Sequence, residues 1–182
     1  MILIINICKE KLHSYEFVRP VTDVLDTEHI EYFVKHYNDV NLDDIKKSLK
    51  IIICGTSLKD DRYIKDIKKF KWIKDFEKPI LGICGGSQII GLVYGGRLNK
   101  KTEIGFFYER IKKDFLGLNG VVQVYHLHNN YCKFSDYFEN YSDSLFYQAV
   151  KHRLKPVYCV LFHPEVRQKD LIRNFLNVNK EI

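Results

Sequence analysis

The chain has 182 residues, which we expect to form one domain across 1–182, without room for a second module that would activate an acceptor. Apolar residues make up 46% and charged residues 29%, an ordinary globular composition that excludes a disordered chain. No apolar run approaches the roughly 18 residues of a membrane span, so we expect no membrane association. The net charge of +6 arises from lysines interspersed with acidic residues, as across 59–77, and does not predict a nucleic-acid partner.

The apolar runs and the helical spacings alternate through the first half of the chain. Residues 2–7, 50–55 and 79–83 are typical of strands buried on both faces of a parallel sheet, and 31–35 is a further predicted strand. Helical spacing links Leu42, Ile45 and Leu49, and again Tyr63, Ile64, Ile67 and Phe70. The alternation predicts an α/β fold, a doubly wound and mostly parallel sheet of flavodoxin-like type with helices on both faces.

The second half of the chain has the pattern of antiparallel hairpins. Strand-like segments occur at 106–111, 121–125, 146–150 and 157–162. Turns are predicted at 118–120 and 151–153, and a closing helix at about 168–178. We therefore expect hairpins added to the parallel sheet, all within one domain.

Five cysteines, an odd number at wide spacing, indicate reduced thiols in the cytoplasm rather than a disulfide framework. No cysteine or histidine pair has zinc spacing, so we expect no metal and no cofactor. The apolar start at residues 1–7 lacks a basic region and a cleavage site, and it is expected to be a strand rather than a signal peptide.

Cys84 lies where an apolar strand passes directly into an apolar helix. Gly82 and Gly86 flank it at two residues on either side, as a tight nucleophile elbow requires, because side chains there would collide. The helix N-terminus would favour a thiolate, and the amide of Gly85 would point towards a developing oxyanion. Two alternatives to a nucleophile elbow are a glycine-rich turn with a buried cysteine and a phosphate-binding loop. The phosphate-binding loop is disfavoured because no Gly-Lys-Ser/Thr follows.

His163 and Glu165 follow the strand-like segment 157–162 and are separated by Pro164. In an extended chain, residues i and i+2 project to the same side, so the imidazole and the carboxylate become neighbours. Glu165 could then accept a hydrogen bond from one ring nitrogen and leave the other facing the sulfur. An isolated His-Pro-Glu is more often a surface turn, but the elbow at the same sheet edge favours a catalytic pair.

These two motifs resemble those of the class I glutamine amidotransferases. The matching segments are Gly82-Ile-Cys-Gly-Gly-Ser-Gln88 and Phe162-His-Pro-Glu165, and the order of elements fits along nearly the whole chain. The resemblance implies that Cys84 attacks the side-chain amide of glutamine, that His163 shuttles protons and that Glu165 orients His163. It further implies that Gln88 helps to hold the substrate.

Within this family, the second half is most similar to the separate glutaminase subunits of GMP synthetases, which implies an ATP-dependent synthetase as the partner. Similar segments are 124–128, 147–152, 155–158 and 162–166. Three segments depart from that pattern. The loop after the third strand keeps Gly55 as an oxyanion-hole candidate, but Thr56 replaces its second glycine, and Asn130 replaces a carboxylate after His128. Residues 6–10 replace a glycine-rich loop.

His126 and His128 either line the substrate site or are strand-end histidines that bond to backbone carbonyls. The same triad would also serve a stand-alone γ-glutamyl hydrolase or amidase. The altered loops leave open a non-catalytic regulatory protein that retains the fold. Against this last interpretation, a backbone amide does not depend on its side chain, so the Gly55–Thr56 loop can still donate.

Overall fold

The computed structural model describes residues 1–178 and contains nine strands in two sheets. The strands are β1 (Ile2–Asn6), β2 (Tyr32–His36), β3 (Lys50–Ile53), β4 (Ile80–Ile83), β5 (Arg97–Phe115), β6 (Leu118–Lys133), β7 (Phe138–Asn140), β8 (Ala149–His152) and β9 (Val157–Val160). The helices are α1 (Ser14–Phe17), α2 (Arg19–Thr27), α3 (Leu42–Lys47), α4 (Arg62–Lys65), α5 (Gly85–Val93) and α6 (Lys169–Asn177), with 3-10 helices at Lys11–His13 and Ile67–Asp75. None of the helices in residues 1–178 is long and apolar enough to cross a bilayer.

The main sheet has the strand order β2-β1-β3-β4-β9-β8-β7. Its first five strands are parallel, and β8 and β7 extend the edge with antiparallel pairing. The order β2-β1-β3-β4-β9 is the flavodoxin-like order of a doubly wound sheet. The predicted fold class is therefore confirmed, as are the strands predicted from the buried runs of the first half.

Two apolar layers cover the main sheet, one on each face. Alternate residues of β1 belong to different layers, with Ile4 among the side chains that contact α2 and α6, and Ile5 among those that contact α5 and the second 3-10 helix. This division follows from the alternation of side chains along a strand. Strands buried on both faces explain why the sequence shows continuous apolar runs.

One hairpin was predicted in the wrong place. Strands β5 and β6 are 19 and 16 residues long and form a separate two-stranded sheet rather than an addition to the main one. The chain reverses at Leu116 and Gly117, whose φ values of 52° and 84° fit a primed two-residue turn. The predicted turn at 118–120 instead begins β6.

Several other boundaries also differ from the sequence predictions. Lys151 and His152 lie in β8, so the chain turns after them and not at 151–153. The strand predicted at 146–150 starts only at Ala149, and the helix predicted through Tyr63 and Phe70 is one α-turn followed by a 3-10 helix. The closing helix is found at Lys169–Asn177, close to its predicted bounds.

Candidate active site

Cys84 occupies a strained turn between β4 and α5. Its φ of 48° and ψ of −103° lie outside the regions that residues with a side chain normally adopt. A Cβ on Gly86 would stand 2.1 Å from the carbonyl oxygen of Ile53, and one on Gly82 would stand 2.8 Å from the backbone of Gly86. Both glycines are thus required by close backbone approach, as the elbow predicts.

The Cys84 side chain is 3% exposed, so the turn brings the thiol into a covered site. Its Sγ lies 3.6 Å from the carbonyl oxygen of Leu127 in β6, which the thiol can use as an acceptor. The hairpin therefore covers the elbow, a contact that the sequence did not predict.

His163 and Glu165 form a buried pair just after β9. Nδ1 of His163 lies 2.6 Å from Oε1 of Glu165, and both residues are almost fully buried. Since Nδ1 is used in this way, Nε2 is the nitrogen left for a further partner, and it has no hydrogen-bond partner among residues 1–178. A Cβ on Gly55 would stand 2.7 Å from Cε1 of His163 and 3.3 Å from Cβ of Cys84, so both side chains flank this glycine.

The environment of His163 favours its protonated form. Burial by itself lowers the pKa of the imidazole, but the carboxylate of Glu165 and the sulfur of Cys84 raise it, and the net result is a pKa well above the usual value. The predicted nucleophile, base and orienting carboxylate thus occupy one site, at the carboxyl ends of β4 and β9.

The two predicted oxyanion donors also border Cys84. Gly85 is the first residue of α5, where backbone amides have no partner within the helix. Gly55 follows β3, and its carbonyl oxygen lies 3.8 Å from Sγ of Cys8. Thr56 replaces a glycine of the family pattern, and its hydroxyl donates to Asp60 at 2.8 Å, which fixes this loop through its side chain.

A small pocket of about 30 Å³ lies directly beside Cys84 and Gln88. The side chain of Gln88 is held in two directions: Oε1 accepts from the Tyr63 hydroxyl at 2.8 Å, and Nε2 donates to the carbonyl of Asn130 at 3.0 Å. Asn129 also borders the pocket and donates to the carbonyl of Leu58 at 3.1 Å. A larger cavity of about 450 Å³ lies beside His163 and Glu165.

The two histidines of β6 lie at different depths. His128 lines the small pocket, as expected for a residue of the substrate site. Its Nδ1 also lies 3.0 Å from the carbonyl of Lys101, as expected for a histidine that bonds to the backbone. Burial, followed by the charge of His126, lowers the pKa of His128 to about 3. His126 is fully buried and lies behind His128, with 3.2 Å between Nδ1 of His126 and Nε2 of His128.

Sequence reasoning missed Tyr63, Leu127 and Asn129 as residues of this site. Tyr63 was interpreted only as part of an apolar helix face, and Leu127 contributes a backbone carbonyl, which leaves no signal in a sequence. Asn129 lies between His128 and Asn130, in the segment that departs from the family pattern, but it was not itself predicted as a site residue. All three come from the segments that face the elbow from outside the main sheet.

Comparisons with known proteins agree with this geometry. The family model described as "Glutamine amidotransferase class-I" matches residues 16–179. A subunit of the glutamine-hydrolysing GMP synthase of Pyrococcus furiosus is 33% identical, with 80% of this chain and 84% of that protein covered. The corresponding Thermoplasma acidophilum protein is 28% identical, with 78% and 77% covered.

Two solved structures share the fold. A putative GMP synthase subunit from Thermoplasma acidophilum gives a TM-score of 0.85 at 23% identity, with 97% of this chain and 92% of that one covered. A glutamine amidotransferase from Thermotoga maritima gives 0.69 at 18% identity, with 98% and 81% covered. The family model spans most of the elements described above, including both motifs of the site. The chain belongs to the class I glutamine amidotransferase family.

Proposed function

We propose that this chain is the glutaminase subunit that supplies ammonia to a separate, ATP-dependent GMP synthetase subunit. The main support for glutaminase activity is the elbow of Cys84 beside the buried His163–Glu165 pair, whose Nδ1–Oε1 distance is 2.6 Å. The GMP synthase subunits among its relatives support the choice of acceptor. The five free cysteines support a cytoplasmic location.

In the proposed reaction, the thiolate of Cys84 attacks the side-chain amide carbon of glutamine. The developing oxyanion accepts hydrogen bonds from the backbone amides of Gly85 and the Gly55 loop. His163 then protonates the amide nitrogen, which leaves as ammonia, and a γ-glutamyl thioester remains on the sulfur. Water activated by His163 hydrolyses the thioester to glutamate and restores the thiol.

Each remaining residue of the site has a role in this scheme. Glu165 holds the ring of His163 through Nδ1, so that Nε2 is directed towards the reacting atoms. Gln88 is fixed by Tyr63 and by the carbonyl of Asn130, and it is positioned to orient the substrate beside the sulfur. His128 lines the same pocket and completes its wall.

The test is glutamate release and GMP formation by the chain mixed with a GMP synthetase subunit from the same organism. The wild type is expected to hydrolyse glutamine slowly alone and faster with the partner and its substrates. Cys84→Ala should lower glutamate release by at least about 10³-fold, since the nucleophile is lost. Cys132→Ala removes another buried thiol, away from the pocket of Cys84, and should retain activity. GMP formation from added ammonium salt should persist with Cys84→Ala.

Two outcomes would overturn the proposal. Rapid turnover of γ-glutamyl amides without any partner, and no acceleration by one, would indicate a stand-alone hydrolase. No glutamate release with the partner, together with no labelling of Cys84 by a glutamine-like electrophile, would indicate a non-catalytic protein.

A further inference from the structure

A second buried polar cluster lies between the hairpin and the main sheet, next to the Cys84 pocket. It consists of Glu103 on β5 with His126 and His128 on β6, all at most 8% exposed. Oε2 of Glu103 lies 3.1 Å from Nε2 of His128, which lies 3.2 Å from Nδ1 of His126. One potential ligand atom from each residue lies within 4.8 Å of the other two. The proposed glutaminase chemistry uses neither Glu103 nor His126.

The hydrogen-bond partners of the two rings decide where their protons lie. Nδ1 of His128 lies 3.0 Å from the carbonyl oxygen of Lys101, which can only accept, so Nδ1 carries the proton. A neutral His128 therefore presents a lone pair at Nε2. The Nε2 of His126 lies 3.3 Å from a carboxylate oxygen of Glu109, although it forms no hydrogen bond of good geometry among residues 1–178. A proton held on Nε2 by the charge of Glu109 would leave a lone pair at Nδ1.

With these tautomers, two nitrogen lone pairs and a carboxylate oxygen face one another in a buried space. Such an arrangement is repulsive unless a proton or a metal cation lies among the three atoms. For a tetrahedral zinc ion with bonds of about 2.0–2.1 Å, neighbouring ligand atoms are about 3.3 Å apart. Two of the three separations, 3.1 and 3.2 Å, are close to that spacing, and the third, between Glu103 and His126, is at most 4.8 Å.

The surroundings of the cluster are those of a metal site. Metal-binding histidines commonly donate their other ring N–H to a backbone carbonyl or a carboxylate, as His128 does to Lys101. The Gln148 side chain is fully buried and donates to Glu103 at 3.1 Å, while its Oε1 has no hydrogen-bond partner among residues 1–178. This amide is close enough to reorganise and supply an oxygen to the ion.

We propose that Glu103, His126 and His128 bind one zinc ion, with a water molecule or the amide oxygen of Gln148 as the fourth ligand. Two imidazoles and one carboxylate suit Zn²⁺ better than Mg²⁺ or Ca²⁺, which prefer all-oxygen sites. The ion joins β5 to β6 and holds His128 in the wall of the Cys84 pocket. It has a structural role and takes no part in amide hydrolysis.

The sequence did not predict this site because its histidines are not spaced as in zinc motifs with cysteines. The signal was His126-x-His128 on a strand, which directs both rings to one face, together with a carboxylate from the neighbouring strand. The register pairs Glu103 directly with His128. Only the pairing of β5 with β6 reveals the third ligand.

The test measures zinc binding to the full chain carrying Cys84→Ser, so that the catalytic thiol cannot supply a ligand. We expect one zinc per chain with a Kd below about 1 µM in competition with a chromophoric chelator. His126→Gln and Glu103→Gln in the same background should weaken binding by about 100-fold or more. His36→Gln, which changes a histidine outside the cluster, should leave the Kd unchanged. Circular dichroism verifies that each variant is folded.

Cobalt substitution provides a second measurement that does not depend on the variants. Co²⁺ in the Cys84→Ser chain should give the d–d bands of a four-coordinate site and no thiolate-to-cobalt charge-transfer band. The proposal is overturned if the folded Cys84→Ser chain binds neither Zn²⁺ nor Co²⁺ at micromolar concentrations, which would mean that a proton occupies the cluster. It is equally overturned if the histidine and glutamate variants bind zinc as tightly as their parent.

Discussion

The backbone at Cys84 shows how a single residue can be held in an unfavourable conformation by its neighbours. Such a conformation costs on the order of 1–3 kcal/mol, which the surrounding structure must offset. Ile53 on β3 lies directly against Gly86, and Gly82 on β4 packs on the same glycine. The absence of these two side chains allows α5 to start immediately after the strand.

At this scale we predict that Gly86→Ala lowers the free energy of unfolding by about 1–3 kcal/mol, as overpacking of a core does. The added Cβ would stand 2.1 Å from the carbonyl oxygen of Ile53, a backbone atom that cannot turn aside. Gly85→Ala is the matched control, because its Cβ would come close to the flexible end of the Ile7 side chain, at 2.8 Å, and would make ordinary contacts with Tyr63 at 3.5 and 3.6 Å. Urea denaturation of both variants measures the difference. Equal losses would mean that the close contact at Gly86 is not what stabilises the elbow.

Strands could be predicted where the residues that define them lie close together in the sequence. The strands that carry Cys84 and precede His163 are short apolar runs, and both motifs directly follow them, so the site could be predicted along with its strands. The hairpin could not be placed in the same way. Strand β5 is mostly exposed and β6 has no continuous buried run. In addition, Asn119-Gly120 resembles a turn although the chain reverses at Leu116–Gly117.

The C-terminal end of α6 depends on a residue that is distant in sequence. Nζ of Lys50, at the start of β3, donates to the carbonyl oxygens of Phe175, Leu176 and Val178 at 3.1, 2.6 and 2.6 Å. Lys50 is only 8% exposed. A buried ammonium at a helix C-terminus both satisfies the last carbonyls and interacts favourably with the helix dipole. The contact therefore joins the closing helix to the amino-terminal end of the sheet.

We predict that Lys50→Met lowers the free energy of unfolding by about 1.5–3 kcal/mol, the usual contribution of hydrogen bonds to a charged group. Methionine keeps most of the aliphatic chain, so the loss reports mainly on the ammonium. Lys71→Met, on the exposed side of the second 3-10 helix, is the control and should change stability by less than about 0.5 kcal/mol. Hydrogen exchange should show faster opening of α6 in Lys50→Met. Unchanged protection of α6 would contradict the proposed capping.

On the scale of the whole molecule, the hairpin and the main sheet together enclose the reactive thiol. Leu127 contacts Cys84, Asn130 contacts Gln88, and Asn129 donates to the carbonyl of Leu58 in the loop after β3. The pocket beside the thiol has a volume of only about 30 Å³. The cavity of about 450 Å³ beside His163 and Glu165 is not lined by Cys84, so glutamine can reach the sulfur through the small pocket only if these segments separate.

We predict that Asn129→Ala makes Cys84 more accessible. The change removes the hydrogen bond to the carbonyl of Leu58 and the one that Asn129 accepts from Thr102 at 3.0 Å. Losing hydrogen bonds worth about 0.5–1.5 kcal/mol in total should raise the open population, and with it the alkylation rate of Cys84 by iodoacetamide, about two- to tenfold. Asn119→Ala at the exposed end of the hairpin is the control and should leave the rate unchanged, because among residues 1–178 the Asn119 side chain accepts a hydrogen bond from its neighbour Gly120, far from Cys84. Mass spectrometry of the labelled peptide separates Cys84 from the four other cysteines. If Asn129→Ala reacts at the wild-type rate, the hairpin contact does not limit access, and the opening must occur elsewhere around the site.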